Sequence, residues 1–310
     1  MLSAKLMQDI FDVVVLGGGP AGATAALFAG RAGRKPLLMA GSPGSSLIAG
    51  APEIDNFPGV SRMAGGDFIQ ELHMQCHEAG VPRQDVAAQS VFLENRLKMV
   101  RTPAGLVAGK ALIVAVGTTP LKPPIEGLEQ FWGKGISTCA WCDGPWFRDK
   151  RVAVYGGGNT AFSSADLLSR LAREVHVLLP KGRGTAFSSV QEKIRGRPGV
   201  TIHPMVEIKR VAGDQRLRHI LLERDGVSET WELDGLFVAM GQKPNTLFLK
   251  DFLELTRSGF IPADALGKTA IPGVFAAGDV VEGQFRQLVV ACGTGANAAL
   301  AAEQYLSAQW

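Results

Sequence analysis

Val13-Val14-Val15-Leu16-Gly17-Gly18-Gly19-Pro20-Ala21-Gly22 decides the fold, because Val152-Ala153-Val154-Tyr155-Gly156-Gly157-Gly158-Asn159-Thr160-Ala161 repeats its plan later in the chain. Each stretch is a short apolar run that ends in three glycines. A segment of helical composition follows each run, Ala21 to Ala32 in the first case and up to about Arg173 in the second. Strand, tight turn and helix in that order open a βαβ unit, and glycine lets backbone come close to a pyrophosphate at the helix N-terminus. The apolar run Val175 to Leu179 predicts the next strand of the second unit.

A second pair of echoes closes the units. Ala111-Leu112-Ile113-Val114-Ala115-Val116-Gly117 is matched by Gly235-Leu236-Phe237-Val238-Ala239-Met240-Gly241, and a proline follows each glycine, Pro120 and Pro244. Glycine and proline punctuate boundaries, so these are the expected crossings between domains. The prediction is an α/β protein with two Rossmann-like, three-layer dinucleotide-binding domains, the second inserted into the first. Residues 1–116 and 246–310 form the outer domain and 117–245 the insert. The final piece, from Ile271 through Gly278-Asp279 into an Ala-rich helix at Gly293 to Tyr305, returns to the outer domain.

Between the two glycine turns stands Cys139-Ala140-Trp141-Cys142-Asp143. Two residues between cysteines allow a disulfide that closes and reopens. A redox dithiol beside two dinucleotide sites implies electron transfer through a flavin. A zinc site would need two further ligands, and no second CxxC or nearby CxH is present. Trp141, Trp146 and Phe147 suggest an apolar rim that shields the dithiol or stacks on a flavin or partner.

Bulk properties narrow the class. A chain of 310 residues can bury two cores, and 46% hydrophobic with 20% charged residues is the balance of a globular protein. No run of about 18 apolar residues predicts a membrane span. Met1 to Ile10 carries Lys5 and no apolar h-region, so no signal peptide is expected. Two of the four cysteines, Cys76 and Cys292, are isolated and read as core residues rather than an extracellular scaffold. The chain reads as cytoplasmic. A net charge of +3 is too small to argue for nucleic acid. Lys181, Arg183, Lys193, Arg195, Arg197, Lys209, Arg210, Arg216 and Arg218 nevertheless crowd one region. They read either as a solvated surface or as a docking face for an acidic protein or a nucleotide phosphate. His73, His77, His176, His203 and His219 show no catalytic spacing, and Trp310 reads as a frayed end or as an aromatic lid over a flavin.

Taken together, these motifs resemble the low-molecular-weight thioredoxin reductases, a branch of the flavin-dependent pyridine nucleotide-disulfide oxidoreductases. The resemblance runs from Phe11 to about Tyr305. It rests on Gly17 to Gly22, Glu53-Ile54-Asp55-Asn56-Phe57-Pro58-Gly59, Cys139 to Gly144, Gly156 to Ala161, and Gly278-Asp279-Val280 followed by Arg286-Gln287 and Gly293-Thr294-Gly295. It implies FAD held at Gly17, Gly19, Pro20, Ala21 and Gly22, with Gly117 and Gly278 beside it and Asp279 on the ribitol chain. Asn56 then lies near the flavin ring, and Arg286, Gln287 and Leu288 begin the segment that meets its pyrimidine edge. Cys142 is the thiol facing the flavin, Cys139 the one that attacks the partner disulfide, and Asp143 the neighbouring acid–base group. The resemblance further implies a homodimer acting on thioredoxin or a thioredoxin-like protein. One expected feature is missing: Ala40 and Gly41 stand where a ribose-binding carboxylate usually follows the strand near Pro36 to Met39.

The second site departs further. Family members carry a His-Arg-Arg…Arg cluster that grips the 2′-phosphate of NADPH; here Leu179, Pro180, Lys181 and Thr185 take those places, with Arg183 between them. Lysine lacks the planar fork of arginine, and each lost charged hydrogen bond is worth about 1.5–3 kcal/mol. Paired glutamates of the family are replaced by Ser163-Ser164 after Phe162, which is expected to alter the pocket floor. Gly156, Gly158, Asn159, Thr160 and Ala161 keep the turn, so the site remains able to take a pyrophosphate. The expectation is a degenerate NADPH site, with electrons from ferredoxin or a second FAD. Weakly bound NADPH, an oxygen-coupled dithiol oxidase and a flavin-bearing redox sensor are the alternatives.

Overall fold

The structure is a computed structural model that describes residues 10–41, 45–94 and 96–310. The expectation about the amino-terminal leader concerns mainly residues 1–9, which lie outside the described residues. The chain divides into two compact units, residues 1–119 with 243–310, and residues 120–242. Both crossings fall three residues inside the expected insert. The reason is local: Thr118–Pro120 and Gln242–Pro244 are strands that pair with each other, so each echo's glycine precedes the crossing instead of marking it.

In the first unit the strand Ile10–Leu16 lies between Pro36–Met39 and Gly105–Val114, parallel to both. Val13 and Val15 point to one face, where the helices Pro20–Arg31, Gly65–Glu78 and Leu288–Gln309 cover them. Val14 and Leu16 point to the other, against Leu249, Leu253, Ile261 and Val280. Burial on both faces is why this strand reads as an unbroken apolar run rather than an alternation. Gly105–Val114 is shared: its first half pairs antiparallel with Lys98–Thr102, and its end pairs parallel with Val274–Ala276.

The second unit has a parallel sheet ordered Val200–Pro204, Glu174–Leu179, Arg151–Tyr155, Gly235–Val238, Ile136–Ser137. Val152 and Val154 pack under the helix Asn159–Leu168, while Ala153 and Tyr155 face an antiparallel sheet formed by Val206–Gly213, Leu217–Arg224 and Val227–Glu232. Each unit is thus a sheet between two covering layers, the expected architecture.

The carboxy-terminal helix begins at Leu288, earlier than the Gly293 expected from composition. Val289, Val290, Gly293 and Gly295 are poor helix formers, but a side chain at Gly295 would collide with the backbone carbonyl of Ala21. Close helix–helix approach, rather than propensity, fixes that residue.

Candidate active site

The first glycine turn is built by contact as well as conformation. Gly17 has φ +109°, and a side chain there would run into the Ala115 carbonyl; one at Gly22 would meet the carbonyl of Gly17. Gly19 caps the helix Pro20–Arg31 without a side-chain hydrogen bond, and Pro20 occupies the first turn. The N–H groups of that turn therefore form an anion-binding end. Gly278 presses on Ala21, and its N–H donates to Thr294 Oγ1 at 2.9 Å, which draws the Asp279 segment to the same place.

Asp279 is half-buried, and burial raises its carboxyl above the ordinary range, partly offset by Arg286. A hydroxyl-rich ligand chain offers such a carboxylate the donors that water would otherwise supply. Arg286 stacks over Phe260 at 5.2 Å. Gln287 caps the helix that starts at Leu288, and Asn56 Nδ2 donates to Gln287 Oε1 at 3.5 Å, so the two residues assigned to the flavin ring do meet. Gly117, at φ +63°, accepts from the Asn245 N–H at 3.1 Å, while Asn245 Nδ2 donates to Val116 O at 2.9 Å. The glycine cradle, the helix end and the lone acid fit FAD.

Three residues of this site escape a reading of the sequence. Asn245 clamps the backbone at Gly117. Ser46 has its Oγ 3.3 Å from where a Gly19 side chain would begin, so it borders the turn where the expected carboxylate is missing. His73 donates from Nε2 to Gly18 O at 2.7 Å, and Arg83 Nη1 lies 2.8 Å from its other ring nitrogen. Ala40 packs directly against Gly18.

In the second unit Cys139 and Cys142 form a disulfide with their Cα atoms 5.3 Å apart. Cys139 caps the short helix Ala140–Asp143, and its Sγ accepts from the Cys142 N–H at 3.1 Å. That N–H is a ready donor to a Cys139 thiolate when the bridge opens. The Cys139 N–H is held by Ser137 Oγ at 2.9 Å, a buried hydroxyl at the end of a core strand. Asp143 closes the turn, with its N–H bonded to Cys139 O at 3.0 Å. The expected aromatic rim does not form. Phe147 is buried 5.2 Å from Phe237, whereas Trp141 is 67% exposed. Among the described residues no cluster of three or more His, Cys, Asp or Glu could hold a metal.

At the second glycine turn Gly156 repeats the first: φ +146°, with the Ala239 carbonyl where a side chain would start. Gly158 caps the helix that begins Asn159-Thr160-Ala161. This turn is latched by its neighbour. The N–H groups of Thr185 and Ala186 donate to Gly157 O at 2.7 and 3.0 Å, and the Phe187 N–H donates to Asn159 Oδ1 at 2.9 Å. Gln191 braces the segment through Gly184 O and Ala186 O. Phe162 is fully buried in the core beneath Gly184, so it props the latch and does not form a pocket floor. Leu179 is buried, and Lys181 and Arg183 are exposed.

Five of the nine basic residues of this stretch pair with acids of their own unit. Lys193, Arg197 and Arg170 converge on Asp166 at 2.9, 2.6 and 2.8 Å. Burial raises the Asp166 carboxyl, but hydrogen bonds from Lys193 and Arg197 outweigh it and hold it below the usual range. Lys209 pairs with Glu207, Arg210 with Glu126 and Arg218 with Asp214. Among the described residues, Lys181, Arg183, Arg195 and Arg216 make no ion pair.

Comparison with known proteins agrees with this geometry. The family model described as pyridine nucleotide-disulphide oxidoreductase matches residues 11–295. Thioredoxin reductase from Streptomyces coelicolor is 35% identical over 97% of this chain and 96% of its own. The NADPH-dependent thioredoxin reductase 3 of Arabidopsis thaliana is 36% identical over 97% of this chain, which spans 59% of that longer relative. The structure of thioredoxin reductase from Giardia duodenalis superposes with a TM-score of 0.94 at 30% identity, covering 97% of this chain and all of that one. With its dinucleotide cradle and its bridged cysteine pair, the chain belongs to the thioredoxin reductase family of flavin disulfide oxidoreductases.

Proposed function

We propose that this enzyme passes two electrons between FAD, the Cys139–Cys142 pair and the disulfide of a thioredoxin-like protein, and that NADPH is not its main electron source. One observation carries the second half. Where the family places its His-Arg-Arg…Arg cluster for the 2′-phosphate, Leu179 is buried in the core, Pro180 has no donor, Lys181 lacks the planar fork, and Thr185 has its backbone N–H committed to Gly157. Reduced ferredoxin or a second flavin is the donor in this reading. Lys181, Arg183, Arg195 and Arg216, the basic residues of the stretch from Lys181 to Arg218 that make no ion pair among the described residues, support an acidic protein donor. Action as a cytoplasmic homodimer belongs to the same proposal.

Bound FAD supplies the two-electron carrier; the rest falls to side chains of this chain. Two electrons enter the Cys139–Cys142 bond and break it. Cys139, capping its helix turn with the Cys142 N–H at its sulfur, attacks one sulfur of the partner disulfide, and the partner's other sulfur leaves as a thiolate. Asp143 delivers the proton that this thiolate takes up. Cys142 then attacks the Cys139 sulfur, restoring the bridge and releasing the reduced partner.

A second reading, an NADPH-thioredoxin reductase with a weakened site, is favoured by the NADPH-dependence in the name of the Arabidopsis relative. Anaerobic titration separates the two. The proposal expects the flavin to stay oxidised at micromolar NADPH and to bleach with a chemically reduced ferredoxin or another low-potential donor. Prompt stoichiometric bleaching by micromolar NADPH would overturn it. Counting flavins per chain after extraction decides whether the donor is a second FAD.

A further inference from the structure

We infer that Trp141 determines specificity for protein disulfides, by receiving the backbone that flanks the partner's attacked cysteine. The inference rests on the exchange chemistry proposed above and adds a contact to it. Trp141 sits between the two sulfurs in sequence, on the four-residue helix Ala140–Asp143. Ala140 on that turn is buried, while Trp141 is 67% exposed. Among the described residues its indole makes no hydrogen bond, aromatic contact or cation–π contact, in contrast to Trp132, Trp231 and Trp310, each of which stacks with a cation. A large apolar ring held in water beside a reactive sulfur is costly unless something covers it in use.

Covalent geometry names the occupant. When Cys139 joins a partner cysteine, their Cα atoms come within about 4.4–6.8 Å, as in any disulfide. The partner's residues on either side of its cysteine must then pass over the turn that carries Cys139, and Trp141 is the exposed apolar side chain of that turn. An indole gives a protein partner a broad surface and one N–H donor for its backbone. A small aliphatic disulfide has neither flanking backbone nor a ring to stack on the indole, and gains nothing from it.

The test isolates the attack from any electron donor. Cys142→Ser leaves Cys139 as a free thiol that stops at the mixed disulfide. Rates of capture are measured for oxidised thioredoxin and for bis(2-hydroxyethyl) disulfide, with a Cys139→Ser/Cys142→Ser protein subtracting reaction at Cys76 and Cys292. Adding Trp141→Ala is expected to slow capture of thioredoxin about tenfold or more, the size of a tryptophan hot spot, and to change the small-disulfide rate less than twofold. Trp141→Phe is expected to recover most of the thioredoxin rate. A thioredoxin capture rate left unchanged by Trp141→Ala would overturn the inference. So would equal slowing with both disulfides, which assigns Trp141 to thiol reactivity, or a changed flavin spectrum in the Trp141→Ala holoenzyme, which assigns it to the flavin. Absence of reaction with the small disulfide in the parent Cys142→Ser protein would instead overturn the exchange chemistry itself, and the role of Trp141 with it.

Discussion

His73 holds the middle glycine of the first nucleotide turn, its Nε2 2.7 Å from Gly18 O. Arg83, a permanent donor, lies 2.8 Å from Nδ1, so Nδ1 accepts, Nε2 carries the proton, and the ring donates to Gly18 while neutral. The histidine thereby fixes the carbonyl direction of the turn that must present its N–H groups to a pyrophosphate.

His73→Phe removes that bond and leaves Gly18 O buried without it. FAD affinity is expected to fall about 5–10-fold, the equivalent of one neutral hydrogen bond, while far-UV circular dichroism stays unchanged. Flavin release during dilution, followed by fluorescence, measures it. Undiminished FAD affinity would count against the role of the bond.

The same bond predicts a direction with pH. Burial lowers the His73 pKa below its ordinary 6.5, so protonation is disfavoured in the folded turn. Between that lowered value and 6.5 the unfolded chain binds more protons than the folded one, and stability falls as pH drops through this window. A protonated ring would also set an N–H against Arg83. FAD release is expected to accelerate as the pH falls below the ordinary imidazole value of 6.5 in the parent. His73→Gln, which keeps a donor and loses the titration, should flatten that rise, and an equally steep profile would exclude His73 as its source.

How much of this was legible in the sequence depends on the range of the interaction. The two glycine turns, their strands and the cysteine pair are local patterns, and each lies where the residues predicted. His73, Ser46 and Asn245 act on Gly18, Gly19 and Gly117 from distant parts of the chain, and no spacing rule links them. The pairing within the basic run from Lys181 to Arg218 was not legible, because Asp166 and Glu126, which neutralise part of it, lie outside that run. Phe162 misled because its position beside the turn says nothing about which face of the helix it occupies.

The histidines His176 and His203 are expected to make the inserted unit acid-sensitive. His176 Nδ1 lies 3.1 Å from His203 Nε2, and Trp231 packs on the edge of both rings at 5.2 and 4.9 Å. Burial and the neighbouring His176 push His203 down from 6.5 to about 4. The unfolded chain therefore takes up protons first, and the part of the pH dependence due to His203 should run from about pH 6.5 down to about pH 4. Urea midpoints followed by tryptophan fluorescence check this, and His203→Gln should reduce the slope in that window.

The latch over the second glycine turn predicts a graded repair of NADPH binding. Pro180→Arg with Thr185→Arg restores two guanidinium groups at the positions where the family has them, and is expected to tighten NADPH about 10–100-fold. The gain should stay below the full family affinity, because Leu179 remains in the core and the backbone of residues 185–187 keeps its bonds to Gly157 and Asn159. Isothermal titration with NADPH measures the change. No gain at all would mean that the latch, rather than the missing charges, closes the site.

Trp310 is packed against two cations and is not a frayed end. Its ring lies 4.0 Å from the Arg96 guanidinium carbon and 5.3 Å from Lys110 Nζ, while Arg96 Nη2 donates to Gln309 O at 2.8 Å. Lys110 in turn pairs with Asp12 at 2.7 Å, near the start of the strand Ile10–Leu16, whereas the nucleotide turn follows its other end. Five strand residues separate the two, roughly 17 Å at ~3.3 Å per residue. Deleting Trp310 is therefore expected to lower unfolding stability by about 1–2 kcal/mol, the loss of its cation–π contacts and packing, with the flavin absorbance spectrum and FAD affinity unchanged. Chemical denaturation of the holoenzyme and a visible spectrum together test it. A shifted flavin band with intact stability would place the residue over the cofactor and reverse this assignment.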